Sequence, residues 1–133
     1  MSRFFEKLKP FAPLCLRLGL AAVFLFFGLE KFYASGQASA EIDSILEIGL
    51  DLASLLNFIL GIVEIIIGLS FILGWGIRWT APVAAILIIV IFFLIILKFG
   101  LRLDPTISRD IGLIGACLAL WFLGAGQWSI DED

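Results

Sequence analysis

The sequence predicts an all-α membrane protein: four transmembrane helices in a bundle, with a short amphipathic helix at the interface between spans 1 and 2. Three observations predict it. Of the 133 residues 62% are hydrophobic, with a mean hydropathy of +1.13, more apolar surface than a soluble domain of this size hides. Four apolar runs are each long enough to cross a bilayer, since about 20 residues rising 1.5 Å each span a hydrocarbon layer of roughly 30 Å. The one sizeable connection between runs alternates apolar and acidic residues with a helical period. Residues 1–133 read as a single integral-membrane domain with no room for a soluble catalytic module.

Taken in order, MSRFFEKLKP is a short amphipathic lead-in carrying Arg3, Lys7 and Lys9. The first span covers about 13–32. In the connection ASGQASAEIDSILEIGLD, Ile42, Ile45, Leu46 and Leu50 fall opposite Glu41, Asp43, Glu47 and Asp51, as in a helix lying on lipid headgroups. The second span, about 52–73, ends at Gly74-Trp75-Gly76. Thr80 is expected to cap the third, about 81–98, with Pro82 in its first turn, where a missing N–H is harmless. Ile86 to Leu97 has no polar residue, so this helix is expected to face lipid. Asp104-Pro105 opens the fourth span, about 105–123, which stops at Gly124-Ala125-Gly126 before the polar tail QWSIDED.

Three basic residues precede the first span and only Lys31 follows it closely, which puts the N-terminus in the cytoplasm and, with four spans, the C-terminus beside it. Lys98, Arg102 and Arg109 fall on the far side and count against that asymmetry. Trp75, Trp79 and Trp128 would line the cytoplasmic boundary.

Composition also removes whole classes of chemistry. With no histidine, imidazole is unavailable as haem ligand, metal ligand or proton shuttle. Cys15 and Cys117 are far apart and form no C-x-x-C, so both read as small packing residues inside helices, and no metal site is expected. No basic patch with interleaved aromatics points to nucleic acid.

Glu64 sets the main problem. It sits near the middle of LASLLNFILGIVEIIIGLSFIL, where a carboxylate costs about 2.5–3.5 kcal/mol on insertion scales unless it finds a partner or a proton. Counted from the cytoplasmic ends, Glu64 is about nine residues in from Leu73, roughly 13 Å. Arg17 is about six residues in from Phe11, roughly 9 Å. An interior ion pair between Arg17 and Glu64 is therefore expected, fixing the first two spans against each other. A proton pathway through Glu64 is the alternative, though a lone carboxyl without a second acid makes a poor relay.

The faces agree with a close contact. Asn57, Gly61, Glu64 and Gly68 form one stripe on the second span; Arg17, Ala21, Phe24, Gly28 and Lys31 form one on the first. Small residues let membrane helices approach closely. Ser108, Gly112, Gly115 and Ala119 offer a third such stripe, so the polar seam is expected to include Asn57, Gly61, Gly68, Gly112 and Gly115. At the outer end Lys31, Lys98, Arg102, Arg109 and Asp110 gather, read either as snorkelling anchors and salt bridges or as a cationic mouth for an anionic or quinone-like ligand.

Three stretches carry a resemblance: LRLGLAAVFLFFGLEKF (Leu16 to Phe32), GIVEIIIGLSFILGWGIR (Gly61 to Arg78) and RDIGLIGACLALWFLGAGQWSID (Arg109 to Asp131). In order and spacing they resemble the DoxX family of small bacterial and archaeal membrane proteins. The resemblance implies a four-helix fold and a multi-pass place in the plasma membrane, with Arg17, Lys31, Glu64, Arg109 and Asp110 as the polar positions. Some such relatives are subunits of a thiosulfate:quinone oxidoreductase, and others join complexes that protect against oxidative and thiol stress. Function therefore stands between two classes. One is an accessory or anchoring subunit of a membrane redox complex, with a quinone as its ligand and aromatics such as Phe24, Trp121 and Phe122 near it. The other is a non-enzymatic module that binds or escorts a lipid or a protein. Catalysis by this chain alone is not expected. The partners expected are membrane lipid and, as candidates, a soluble or membrane redox protein and a second copy of the chain.

Overall fold

A computed structural model describes residues 2–101 and 104–131. Among these residues six α-helices follow one another: α1 (Ser2–Leu8), α2 (Ala12–Tyr33), α3 (Ser35–Leu46), α4 (Leu50–Leu73), α5 (Ile77–Phe99) and α6 (Pro105–Leu123), with one 3₁₀ turn, Lys9–Phe11, leading into α2. Helices α2, α4, α5 and α6 are the membrane spans, long and apolar enough to cross a bilayer. They run alternately up and down. α2 packs chiefly on α4 and α5 chiefly on α6, and lesser contacts between α2 and α6 and between α4 and α5 close the ring.

The α2–α4 pair is close because glycines make it so. A methyl group on Gly28 would lie 2.7 Å from Ile65 Cγ1 and 2.9 Å from the Gly61 carbonyl oxygen; one on Gly68 would meet Leu25 at 2.7 Å. Arg17, Leu20, Ala21, Phe24 and Gly28 are the buried side of α2, and Phe24 meets Phe71 of α4 edge to face with centroids 5.8 Å apart.

On α5 the buried residues are Ile77, Ala81, Ala84, Ala85 and Ile88. The helix expected to face lipid thus has a buried small-residue face in its first half, while Ile86, Val90, Phe93 and Leu97 point outward. α6 is turned the other way from the sequence expectation. It buries Ile107, Asp110, Cys117 and Leu120, and a residue two positions away lies about 200° around the helix. Gly112 and Gly115 are therefore exposed, with open space where their Cβ atoms would be. They do not belong to the seam. Cys15 is likewise exposed rather than packed, whereas Cys117 is buried.

Helix ends explain the turns. Gly74, at φ +67°, ends α4 in the left-handed region, and the Trp75 N–H reaches back to the Ser70 carbonyl at 3.1 Å. α5 begins at Ile77, earlier than expected, so Pro82 lies in its second turn and Thr80 is not its cap. The cap comes from the far end of the chain: the Asp131 carboxylate accepts from the Gly76 and Ile77 N–H groups at 2.9 and 3.0 Å. Asp104 caps α6 by accepting from Thr106 N at 2.9 Å, with Pro105 at the first helical position.

The amphipathic connection forms α3, which crosses one end of the bundle and packs mainly on α4, with contacts to α2 and α5. Leu50, expected on its apolar face, belongs instead to α4 and is exposed. Where α3 gives way to α4, the Gly49 N–H donates to the Asp43 carboxylate at 2.8 Å.

Candidate functional site

The pairing expected between Arg17 and Glu64 does not form. The contacts of Gly28 with Gly61 and Ile65, of Leu25 with Gly68, and of Arg17 with Gly74 set the antiparallel register of α2 and α4. Arg17 is thus level with the last turn of α4, about ten residues or roughly 15 Å from Glu64 along the axis. Depths counted from each span's own end mislead here, because α2 runs past the point where α4 stops.

Arg17 is fully buried and answers carbonyls instead. It donates to Phe71 O at 3.3 Å, Ile72 O at 3.5 Å, and both Gln127 O and Trp128 O at 2.9 Å. The first two carbonyls belong to the final turn of α4, which has no intrahelical donors left. The tail after α6 folds back to supply the others, tied by Ile130 N to Leu73 O and Asp131 N to Gly74 O at 3.0 and 2.9 Å. Arg17 is a structural pin.

Glu64 is answered by Lys31, whose Nζ donates to Oε1 at 3.1 Å and to Oε2 at 2.9 Å. Lys31 is one turn beyond Gly28, which lies level with Glu64, so its side chain folds back along α2 to reach the carboxylate. The Lys31 carbonyl in turn accepts from Asn57 Nδ2 at 2.9 Å. Asn57 is 2% exposed, and its Oδ1, itself buried, has no donor among the described residues.

This unit lies on the wall of a cavity of about 540 Å³ between the α2–α4 and α5–α6 pairs. Small-molecule sites commonly fall between about 300 and 1,000 Å³. Phe24 and Phe27 of α2, Leu60 of α4 and Leu87, Ile91 and Ile95 of α5 give it apolar sides. Its polar end holds Glu30, Lys31, Asn57, Glu64, Arg109 and Asp110. α3 closes part of the same end with Ala38, Glu41, Ile42, Ile45 and Leu46. A smaller cavity of about 200 Å³ shares Ile95, Thr106 and Asp110 with it.

The cations at this end are engaged. Arg109 donates through Nε and Nη2 to Asp110 Oδ1 at 3.3 and 3.2 Å, and its guanidinium lies 4.9 Å from the Phe27 ring centroid. Lys98 is away from the cavity and bonds Glu47. Arg102 falls outside the described residues. The wall carries Glu30, Glu41, Glu64 and Asp110 against Lys31 and Arg109, so the expected cationic mouth is, among the described residues, richer in acceptors than in cations. Trp121 and Phe122 are exposed and do not line the cavity.

The sequence singles out Lys31, Asn57, Glu64, Arg109 and Asp110 but pairs Glu64 with Arg17, where the structure pairs it with Lys31. It missed Phe27 and the contribution of α3 to the cavity, and it left Asp131 in a polar tail. The run W-S-I-D, quoted for its resemblance, was the one signal that the tail has a fixed place.

Four apolar spans around an amphipathic cavity define a polytopic membrane protein with a small-molecule-sized interior. The chain belongs to the DoxX family, whose model, described as DoxX, matches residues 12–97. The Arg109 to Asp131 stretch lies beyond the matched residues. No curated protein and no solved structure matches the chain significantly.

Proposed function

We propose that this protein is an accessory subunit of a membrane redox complex, holding a lipid-soluble quinone between its helix pairs while a partner protein exchanges the electrons. The cavity carries this reading: a compact polar end set against aliphatic and aromatic walls suits a ring with a polar edge and an apolar tail. The Lys31–Glu64 pair on its wall is a group that a ring substituent could meet. The chain's own residues bind and orient; the redox couple belongs to the ligand and the partner. Family membership, the excess of Lys and Arg before α2 and the tail folded against the start of the bundle support a bacterial or archaeal plasma membrane with both ends cytoplasmic.

A second reading, a lipid-binding module without redox partners, is favoured by one feature. Leu87, Ile88, Ile91, Leu94 and Ile95 form an aliphatic wall that would accept an acyl chain equally well.

Native mass spectrometry of the protein released from its own membrane in mild detergent tests both. A retained quinone that is lost in Ile91→Trp, together with a co-purifying flavoprotein or sulfurtransferase, is the expected result. A retained phospholipid with no redox protein establishes the second reading and ends the first.

A further inference from the structure

From the way the cavity lining runs out onto the lipid face of α5, we infer that the site opens sideways into the bilayer between α4 and α5. The ligand's ring reaches the polar end through this slot while its tail stays in the slot and among the lipid chains, a reading that rests on the cavity being a quinone-type site. The molecule admitted is therefore a head group on a tail longer than the cavity itself.

Helices α4 and α5 meet beside their connecting turn, where the Ser70 and Thr80 hydroxyls are 2.8 Å apart. These two residues mark the facing sides. Further from the turn, Leu87, Ile91 and Leu94 fall within about 40° of Thr80 around α5, and Leu56 falls within about 40° of Ser70 around α4. All four line the cavity, so beyond the hydroxyl contact the facing sides enclose space. In line with Thr80 at the far end of α5 is Lys98, which bonds Glu47 and so ties α3 across the end of the slot.

The slot reaches the membrane at Val90. This residue lines the cavity and is 50% exposed, within the outward stripe of α5. Ile88 lines the same cavity and is 6% exposed. Two positions on a helix are about 200° apart, so the cavity surface passes from the core side of α5 to its lipid side. Val90 lies about 13 residues, roughly 20 Å, into α5, within a hydrocarbon layer roughly 30 Å thick.

The chemistry of the slot selects a hydrocarbon tail. Leu56, Leu60, Leu87, Val90, Ile91 and Leu94 carry no polar side-chain atom, and a peptide there would bring backbone groups with nothing to bond. The opposite edge, between α2 and α6, is different. Glu30, Thr106, Arg109 and Asp110 line the cavity there, and the Arg109 guanidinium lies 4.9 Å from the Phe27 ring centroid, bridging the two helices. A tail leaving by that edge would pass charged groups.

The test uses the purified protein in phospholipid nanodiscs. Decylubiquinone and a ubiquinone with a tail of ten isoprene units share one ring and are titrated at matched concentrations in the bilayer. They are expected to bind within about threefold of each other, because lipid is as apolar as the slot and the surplus tail stays outside. A loss of about tenfold or more with the long tail means a closed cavity of about 540 Å³ and overturns the lateral slot. A decylubiquinone carrying a diazirine midway along its tail then reports position, counting only label that excess decylubiquinone removes. Label on the slot residues, Leu60 and Val90 above all, is expected. Competed label confined to other walls, such as Phe27 or Ile42, overturns the slot while leaving the cavity a quinone site. Binding of neither quinone overturns the quinone reading itself and the slot with it.

Discussion

Removing the Lys31 ammonium should destabilise the bundle more than neutralising its partner. In Lys31→Met, Glu64 keeps its charge at 4% side-chain exposure with nothing to face. In Glu64→Gln, Lys31 at 19% exposure can still turn towards water. Breaking a buried pair by deleting one partner costs about 3–5 kcal/mol, and the partial exposure of Lys31 places Lys31→Met near 3 kcal/mol. Glu64→Gln, which keeps an acceptor for Lys31, should cost about 1–2 kcal/mol. Polar contacts between membrane helices couple by about 0.6 kcal/mol on average and up to about 1.7, and a two-pronged charged contact belongs at the upper end. The double variant should therefore recover about 1–2 kcal/mol relative to the sum of the singles. SDS-titration unfolding in mixed micelles measures all four proteins. Arg17→Gln combined with Glu64→Gln provides the comparison: those sites are roughly 15 Å apart along the helices and should add within about 0.5 kcal/mol. Coupling of Arg17 to Glu64 equal to or larger than that of Lys31 to Glu64 would refute the register described above.

Gly28→Ala should lower the thermal transition in detergent by an overpacking cost of about 1–3 kcal/mol, since its methyl would sit 2.7 Å from Ile65 Cγ1 and 2.9 Å from a backbone oxygen. Gly112→Ala, made into open space, should stabilise by up to about 1 kcal/mol through helix propensity, and a loss there would place α6 in the wrong rotation. Asp131→Ala should cost about 0.5–2 kcal/mol and speed hydrogen exchange at Gly76 and Ile77, the two amides it caps. Finally, the hydrogen bond from Lys98, and then its charge, hold the Glu47 carboxyl below the usual carboxylate range. A depressed folded pKa means the tie is complete above the unfolded value of about 4.3 and is lost as pH falls through the lower folded one. Spin labels on α3 and α5 should move apart over that acidic window and in high salt, and not at neutral pH.

The spans were legible because bilayer thickness sets their length. The 105–123 expectation matches α6, and the others differ from α2, α4 and α5 by at most four residues at either end. Register was not legible, because it leaves no mark in one helix alone, and neither was the rotation of α6. Counting depth from span ends assumes that all ends are level, whereas Arg17 is level with the last turn of α4 and α2 begins beyond it. On α6, two small-residue positions looked like an inner face, but Ile107, Asp110, Cys117 and Leu120 on the opposite side are the ones buried. A glycine stripe allows close approach without specifying that anything approaches.

The two ends of the bundle follow from opposite solutions to one constraint, that backbone polar groups inside a membrane must be satisfied. At the Arg17 end, α4 and α5 meet through the tight Gly74–Gly76 turn. The carbonyls closing α4 and the N–H groups opening α5 are left for partners that the local chain does not contain. The returning tail and Arg17 supply them, and the helices are held together there. At the other end, α2 and α4 are separated by the whole of α3, which lies across the bundle and closes that end only in part, and a cavity separates the α2–α4 pair from α5–α6. The charged groups that could not be left in lipid, Lys31 with Glu64 and Arg109 with Asp110, line that gap. One end is locked by backbone hydrogen bonds, and the other keeps a cavity between the helix pairs.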